Sequence, residues 1–239
     1  MALAGELRRR IASPEAAEEC APARGPKTAA ARPAQPLDKA AALAVLSGQA
    51  EACRACPLGG QRIRSVFGVG SPEAKVIFIG EGPGFEEDRK GEPFVGKAGQ
   101  LLDRILASIG LSRQTVYIAN VVKCHPMKDP STPEARGNDR APTPVEMEAC
   151  HHFLDRQIAI IRPRFLVSLG AVATKALLGS DEPLGRVRGR WREYRKGDVS
   201  ARLLPTYHPA ALLRNPDLKR DVWEDMKNLR AELEGSHED

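Results

Sequence analysis

Four cysteines and one glycine-rich stretch are the residues of this chain whose types and spacing could do chemistry. Cys53 and Cys56 form a Cys-x-x-Cys pair, a spacing that lets two thiolates in one turn reach a single metal centre, and Cys124 and Cys150 follow far along the chain. Four thiolates suit either tetrahedral zinc or a four-iron cluster; the competing reading is a small core cysteine at 150 and an incidental pair. The stretch runs Gly80-Glu81-Gly82-Pro83-Gly84-Phe85-Glu86-Glu87-Asp88 and continues through Gly91-Glu92-Pro93-Phe94-Val95-Gly96. Glycine at this density lets the backbone approach a ligand closely and turn N–H groups toward it. The loop lacks the Gly-Lys-Ser/Thr ending of a phosphate loop and departs from the dinucleotide Gly-x-Gly-x-x-Gly pattern, and its acids would repel phosphate. A neutral ring that leaves as an anion matches this mixture of N–H donors and carboxylates better.

Such residues need a scaffold. Apolar runs at residues 75–80, 116–122, 165–169 and 202–206 read as buried strands. Between them lie helical patterns: residues 99–109 ending at Gly110, a capping box at Thr143 to Glu146 with Pro144 in the first turn, residues 171–178 stopping at Gly179, and residues 216–233. Strands alternating with helices predict an α/β fold with a mainly parallel sheet covered on both faces. In such sheets ligands bind at the carboxyl ends of the strands, so chemistry is expected just after Gly80, Val122 and Thr206. Asp38 is a candidate N-cap of a further helix that delivers the chain to Cys53.

Composition bounds the rest. Residues 1–36 are dominated by Ala, Pro, Arg and Glu, which predicts a disordered extension; residues 37–234 form the expected catalytic domain and residues 235–239 a tail. The chain of 239 residues carries a formal charge of +5, which suits a polyanionic partner. No apolar run is long enough to span a membrane and no secretory signal is evident, so a cytoplasmic monomer with no membrane association is expected. Cysteines in that compartment more often bind metal than form disulfides. Cys20, in the extension, is expected to be a free thiol.

Residues 80–88, the segment Pro93-Phe94-Val95-Gly96, the segment Asn120-Val121-Val122-Lys123-Cys124 and the segment Tyr207-His208-Pro209-Ala210-Ala211-Leu212-Leu213-Arg214 together resemble family 4 of the uracil-DNA glycosylases. The resemblance runs in unbroken order over residues 52–229. It implies a three-layer α/β/α fold around a central, mainly parallel four-stranded sheet, with a 4Fe-4S cluster on Cys53, Cys56, Cys124 and Cys150. The activity it implies is excision of uracil from single- or double-stranded DNA, initiating base excision repair. An enzyme of this kind must flip the nucleotide into a pocket. Phe94 is then the expected stacking face, and Asn120 the reader of the uracil edge. His208, with backbone N–H groups near Gly82, is expected to stabilise charge on uracil O2, and Glu81 and Glu87 to orient water or stabilise the cationic sugar. Leu212 and Leu213 form the expected wedge into the base stack, with Arg214 on a phosphate.

The chain departs from the family pattern in two places. The stretch between Cys124 and Cys150 is longer, through residues 127–139, and the family's Asn-Arg-x-Pro element survives only in altered form around Asn138-Asp139-Arg140, so no role is carried over onto Asn138. Phe85 stands where an acid is common. Two alternatives remain open: a relative trapped covalently on the abasic sugar, whose added Lys-Arg-Arg-Ile-His-type loop is not found here, and a non-catalytic metal-containing DNA-binding module. His125, His151, His152 and His237 are expected to be exposed or structural.

Overall fold

The computed structural model describes residues 38–235. The expected extension with Cys20, and residues 236–239 with His237, lie outside the described residues. Asp38 caps α1 (Lys39–Ala52) by accepting the Ala41 N–H at 3.0 Å, and the helix delivers the chain to Cys53. A one-turn α2 (Leu58–Gln61) leads to β1 (Val69–Gly70) and β2 (Val76–Gly80). Next come α3 (Phe85–Lys90), α4 (Lys97–Ser108), β3 (Tyr117–Asn120), α5 (Pro144–Ile161), β4 (Phe165–Leu169) and α6 (Ala171–Leu178). The chain closes with α7 (Leu184–Val187), β5 (Arg192–Lys196), β6 (Val199–Thr206), α8 (Pro209–Arg214) and α9 (Leu218–Glu234).

The sheet has the order β1-β3-β2-β4-β6-β5. Its four inner strands, β3, β2, β4 and β6, are parallel and are the four runs expected from the sequence. The expectation of four strands is corrected by two more, β1 and β5, which pair antiparallel at the two edges. The first is two residues long, and Tyr194 is the only buried residue of the second, so neither carries an apolar run. Side chains alternate across the pleat. Along β2, Ile77 and Ile79 enter a core shared with Leu43, Leu46, Phe153 and Ile158 of α1 and α5. Val76 and Phe78 enter the opposite core, shared with Leu102 and Leu106 of α4 and Met226 and Leu229 of α9. Those two cores make the three layers. The chain runs from β2 to β3 on one side and returns through α5 to β4 on the other, so the connections diverge at the carboxyl end of β2 and open a crevice there. No helix among the described residues is long and apolar enough to cross a membrane.

The start of α5 is fixed by the expected capping box: the Glu146 N–H donates to Thr143 Oγ1 at 3.3 Å and the Thr143 N–H to Glu146 Oε2 at 2.7 Å. Arg140 adds a bidentate pair to the same carboxylate at 2.7 and 2.8 Å. The Arg140 guanidinium, with the Thr143 N–H assisting, holds the Glu146 carboxyl down at about 2 from an ordinary 4.5. Between those values the unfolded chain binds the extra proton, so this stabilisation is whole above pH 4.5 and fades as the pH falls toward 2. Glu146→Gln should therefore destabilise the protein at neutral pH by about 1–3 kcal/mol. In denaturant titrations the gap from the parent should close as the pH drops through that window; a gap independent of pH would refute the ionic origin.

Candidate active site

A cleft of about 740 Å³ opens at the carboxyl ends of the strands, lined by the loop after β2, Phe94, Asn120 and the segment after β6. At its floor Phe94 and Asn120 converge on Gly80. A Cβ there would lie 2.4 Å from Asn120 Oδ1 and 2.5 Å from the Phe94 ring, so glycine is a steric requirement. Phe94 itself has φ 56°, the left-handed region that side chains other than glycine rarely occupy. The surroundings impose it from several sides. Gly99 of α4 packs so closely on the Phe94 carbonyl that a Cβ would sit 1.7 Å from its oxygen. Arg113 donates to the Phe94 and Pro93 carbonyls, the latter at 3.0 Å, and is itself braced by Asp103 at 2.6 Å. Glu87 completes the frame from α3: Oε1 accepts the N–H groups of Val95 at 2.8 Å and Gly96 at 3.0 Å, and Oε2 that of Gly84 at 3.3 Å. Both oxygens of Glu87 thus hold backbone, whereas Glu81 lines the cleft half-buried, its carboxyl pushed up by burial.

Asn120, at the end of β3, is 2 % exposed and its Oδ1 has no hydrogen-bond partner among the described residues. A buried acceptor left empty is costly unless something fills it, so this atom marks where a donor belongs. His208 follows β6 and caps α8, its Nδ1 accepting the Ala210 N–H at 3.1 Å. Burial, with Arg214 nearby, lowers its pKa from 6.5 to about 4. The ring is therefore neutral at physiological pH, with its proton on Nε2, a donor on a ring that lines the cleft. It lies 5.4 Å from the Phe94 ring between centroids. On α8 the two leucines of the expected wedge part: Leu212 is 1 % exposed, packed in the core with α9, whereas Leu213 is 46 % exposed. Arg214, also exposed, lines the cleft beside it.

The long stretch before α5 forms the facing wall through Arg136, Asp139 and Arg140. Asn138 closes it on itself, its amide donating to Asp129 O at 2.7 Å and Thr132 O at 3.1 Å while Oδ1 accepts the Asp129 N–H at 2.8 Å. His125 anchors it, fully buried, with Nε2 2.7 Å from Asp139 and Nδ1 3.7 Å from Asp88, the latter an ion-pair rather than a hydrogen-bond distance. Burial alone would lower its pKa; the two carboxylates more than reverse that, to about 9. Arg113 is not signalled by the sequence, because backbone carbonyls are its main partners, and this wall is legible there only as a departure from the family pattern, because its place depends on loop closure.

The four cysteines expected as ligands form no disulfide among the described residues. Cys124 lies within electrostatic reach of Cys56 and Cys150, and Cys150 of Cys53 and Cys56. Donors point at their sulfurs: Arg62 Nη1 at Cys124 Sγ (2.9 Å), the Lys123 N–H at Cys150 Sγ (3.3 Å) and the Ala55 N–H at Cys53 Sγ (3.5 Å). Burial raises the Cys124 thiol to about 11; a bound metal would draw off that proton and leave a thiolate that accepts more strongly from these donors. Among the described residues no three His, Cys, Asp or Glu side chains converge on one ion. Ligands of a four-iron cube each bind a separate iron and need not do so. The donor set fits such a cluster.

Comparison with known proteins completes the description of the site. The model of the uracil DNA glycosylase superfamily matches residues 67–227. A type-4 uracil-DNA glycosylase of Thermotoga maritima is 42% identical over 190 residues, spanning 78% of this chain and 92% of its own. Its counterpart in Archaeoglobus fulgidus is 41% identical over 181 residues, 74% of this chain and 86% of that protein. A type-5 uracil-DNA glycosylase of Thermus thermophilus is more distant, 31% identical over 53% of this chain. The chain belongs to the uracil-DNA glycosylase superfamily and, within it, to the type-4 enzymes.

Proposed function

We propose that this protein excises uracil from DNA by hydrolysing its N-glycosidic bond, the opening step of base excision repair. The observation that carries the reading is the empty Oδ1 of buried Asn120 beside Phe94 and His208. Uracil presents an N–H at N3 that can fill it, flanked by carbonyls that accept from donors. A flipped uracil stacks on Phe94, gives its N3–H to Asn120 and sets O2 against His208 Nε2–H. As the C1′–N1 bond breaks, its electron pair goes to the base and the negative charge gathers on O2, where a neutral donor acts mainly in the transition state. Backbone N–H groups near Gly82 assist. Glu81, half-buried at the cleft, faces the cationic sugar and the water whose hydroxyl joins C1′. Glu87 serves this chemistry by holding the two loops together.

On this reading Leu213, rather than Leu212, fills the gap left by the flipped base, with Arg214 on a phosphate. The partner is DNA, single- or double-stranded, met by one copy of the chain in the cytoplasm. Cys53, Cys56, Cys124 and Cys150 would hold a 4Fe-4S cluster. When bound, the cluster supplies no step of the hydrolysis and joins the end of α1, the exit of β3 and α5.

Three experiments test the reading. His208→Ala should lower single-turnover excision by about 10²–10³-fold while affinity for DNA carrying an uncleavable uracil analogue changes little; the parent's rate should show no step at the ordinary histidine value of 6.5 that disappears in the variant. Near-parental excision by a folded His208→Ala protein removes the residue from the mechanism. Leu213→Ala should slow excision from duplex by about tenfold and spare single strands, whereas Leu212→Ala should cost about 2–5 kcal/mol of stability. Equal effects of Leu213→Ala on both substrates would rule out the wedge. Serine at any of the four cysteines should lower bound iron, and normal iron content in two or more of those variants contradicts the ligand set.

A further inference from the structure

Lys123 is a buried cation that the uracil chemistry does not use. It is 1 % exposed, and its ammonium donates to the Asn120 carbonyl at 2.7 Å and to Gln157 Oε1 at 2.6 Å, with the Phe67 ring centred 5.9 Å away. Both hydrogen-bond partners are neutral. The acid in electrostatic range, Asp155, is paired with Lys196 at 2.7 Å. A full positive charge taken out of water without an acid against it is expensive, and such groups persist where an anion lies close by. The nearby candidates are sulfurs: Cys124 is the next residue, and Cys150 Sγ accepts the backbone N–H of Lys123 itself. On the outer side, Arg62 donates to Cys124 Sγ at 2.9 Å. It also binds the carbonyls of Ala50, Glu51 and Cys53, wrapping the end of α1.

Arg62 donates to the Cys124 sulfur and Lys123 adjoins that residue in the chain, so both cations lie within its electrostatic reach. A four-iron–four-sulfur cluster with four thiolates carries a net charge of two minus, and its stability and potential respond to charges and hydrogen bonds at the sulfurs. We propose that Lys123 from the core and Arg62 from the surface are the paired counter-cations of the cluster, and that Lys123, through its grip on the Asn120 carbonyl, ties the metal site to the uracil pocket. Lys123 thereby acts as a positioning residue twice over. Its backbone N–H and its ammonium brace the two ends of the short segment that joins Asn120 to Cys124. The inference rests on the cluster reading above.

The test uses the full chain purified with its cluster. Lys123→Met keeps the length of the side chain and removes charge and donors; Arg62→Gln and Arg62→Lys do the same, and restore charge, at the more accessible position. Removing a nearby cation disfavours the reduced, more negative cluster. Lys123→Met and Arg62→Gln should therefore each shift the reduction potential downward, read by electron paramagnetic resonance during a redox titration. Each should also release iron to a chelator about tenfold faster, whereas Arg62→Lys should stay near the parent. Loaded Lys123→Met should in addition bind free uracil more weakly than the parent. A purely structural lysine would change melting temperature without moving the potential. Should Lys123→Met fail to fold, the potential of Arg62→Gln decides: an unchanged value there overturns charge compensation. Unchanged potential and iron release in a loaded Lys123→Met protein overturn the proposal directly. Absence of iron from the parent is a different result, since it removes the cluster reading and this inference with it.

Discussion

Phe94 and Asn120 can share the mouth of β2 only because the residue beneath them brings no Cβ. Everything else at the site is arranged around that absence. Above Gly80, Phe94 takes a left-handed backbone, and a residue so placed relaxes unless its neighbours prevent it. Three groups do so from different elements: Gly99 by close approach, Arg113 through the carbonyls and Glu87 through the following N–H groups. The strain is localised at the face against which a ring would lie. Rigidity of that kind is what a pocket needs if a base is to be read by shape as well as by hydrogen bonds.

Electrostatics follow the same economy. The cleft has a histidine kept neutral, an acid whose carboxyl is raised by burial and an amide oxygen with nothing to accept. Full charges line the cleft around these groups, on Arg214 and on the paired residues of the facing wall. A neutral ligand therefore enters without having to displace a counter-ion, and the polar groups it meets respond to charge only as charge develops. Water exclusion then strengthens each of them.

Much of this was readable from the chain. The four inner strands were legible because strands buried on both faces must be apolar throughout, and the capping box of α5 because its residue types are few. The edge strands were not, since one is too short for a pattern and the other is charged on purpose of exposure, with only Tyr194 turned inward. Leu212 and Leu213 could not be told apart in sequence: adjacent residues on a helix differ by about 100° in direction, and which one meets the core depends on how α8 lies against α9. Arg113 escaped for a different reason, as did the bracing role of Glu87, which the sequence offered only as a catalytic acid. Their partners are backbone groups, which every residue possesses, so no residue type signals them. The proton on Nε2 of His208 likewise depends on a single N–H two residues on, and no composition or spacing reveals it.

The edge strands carry one more consequence. At one end the sheet stops after two residues, and at the other it presents Arg192, Glu193, Arg195 and Lys196 around one inward tyrosine. An unpaired strand edge is a template on which another chain can extend the sheet, and short length and dense charge are the two devices that spoil it. The parallel inner strands are slow to pair during folding because their partners are far apart in sequence, which leaves apolar segments exposed for longer. A sheet blunted at both ends lets those segments find each other before they find a neighbouring molecule. The unremarkable margins of the sheet are thus its defence against aggregation at the moment when its interior is least protected.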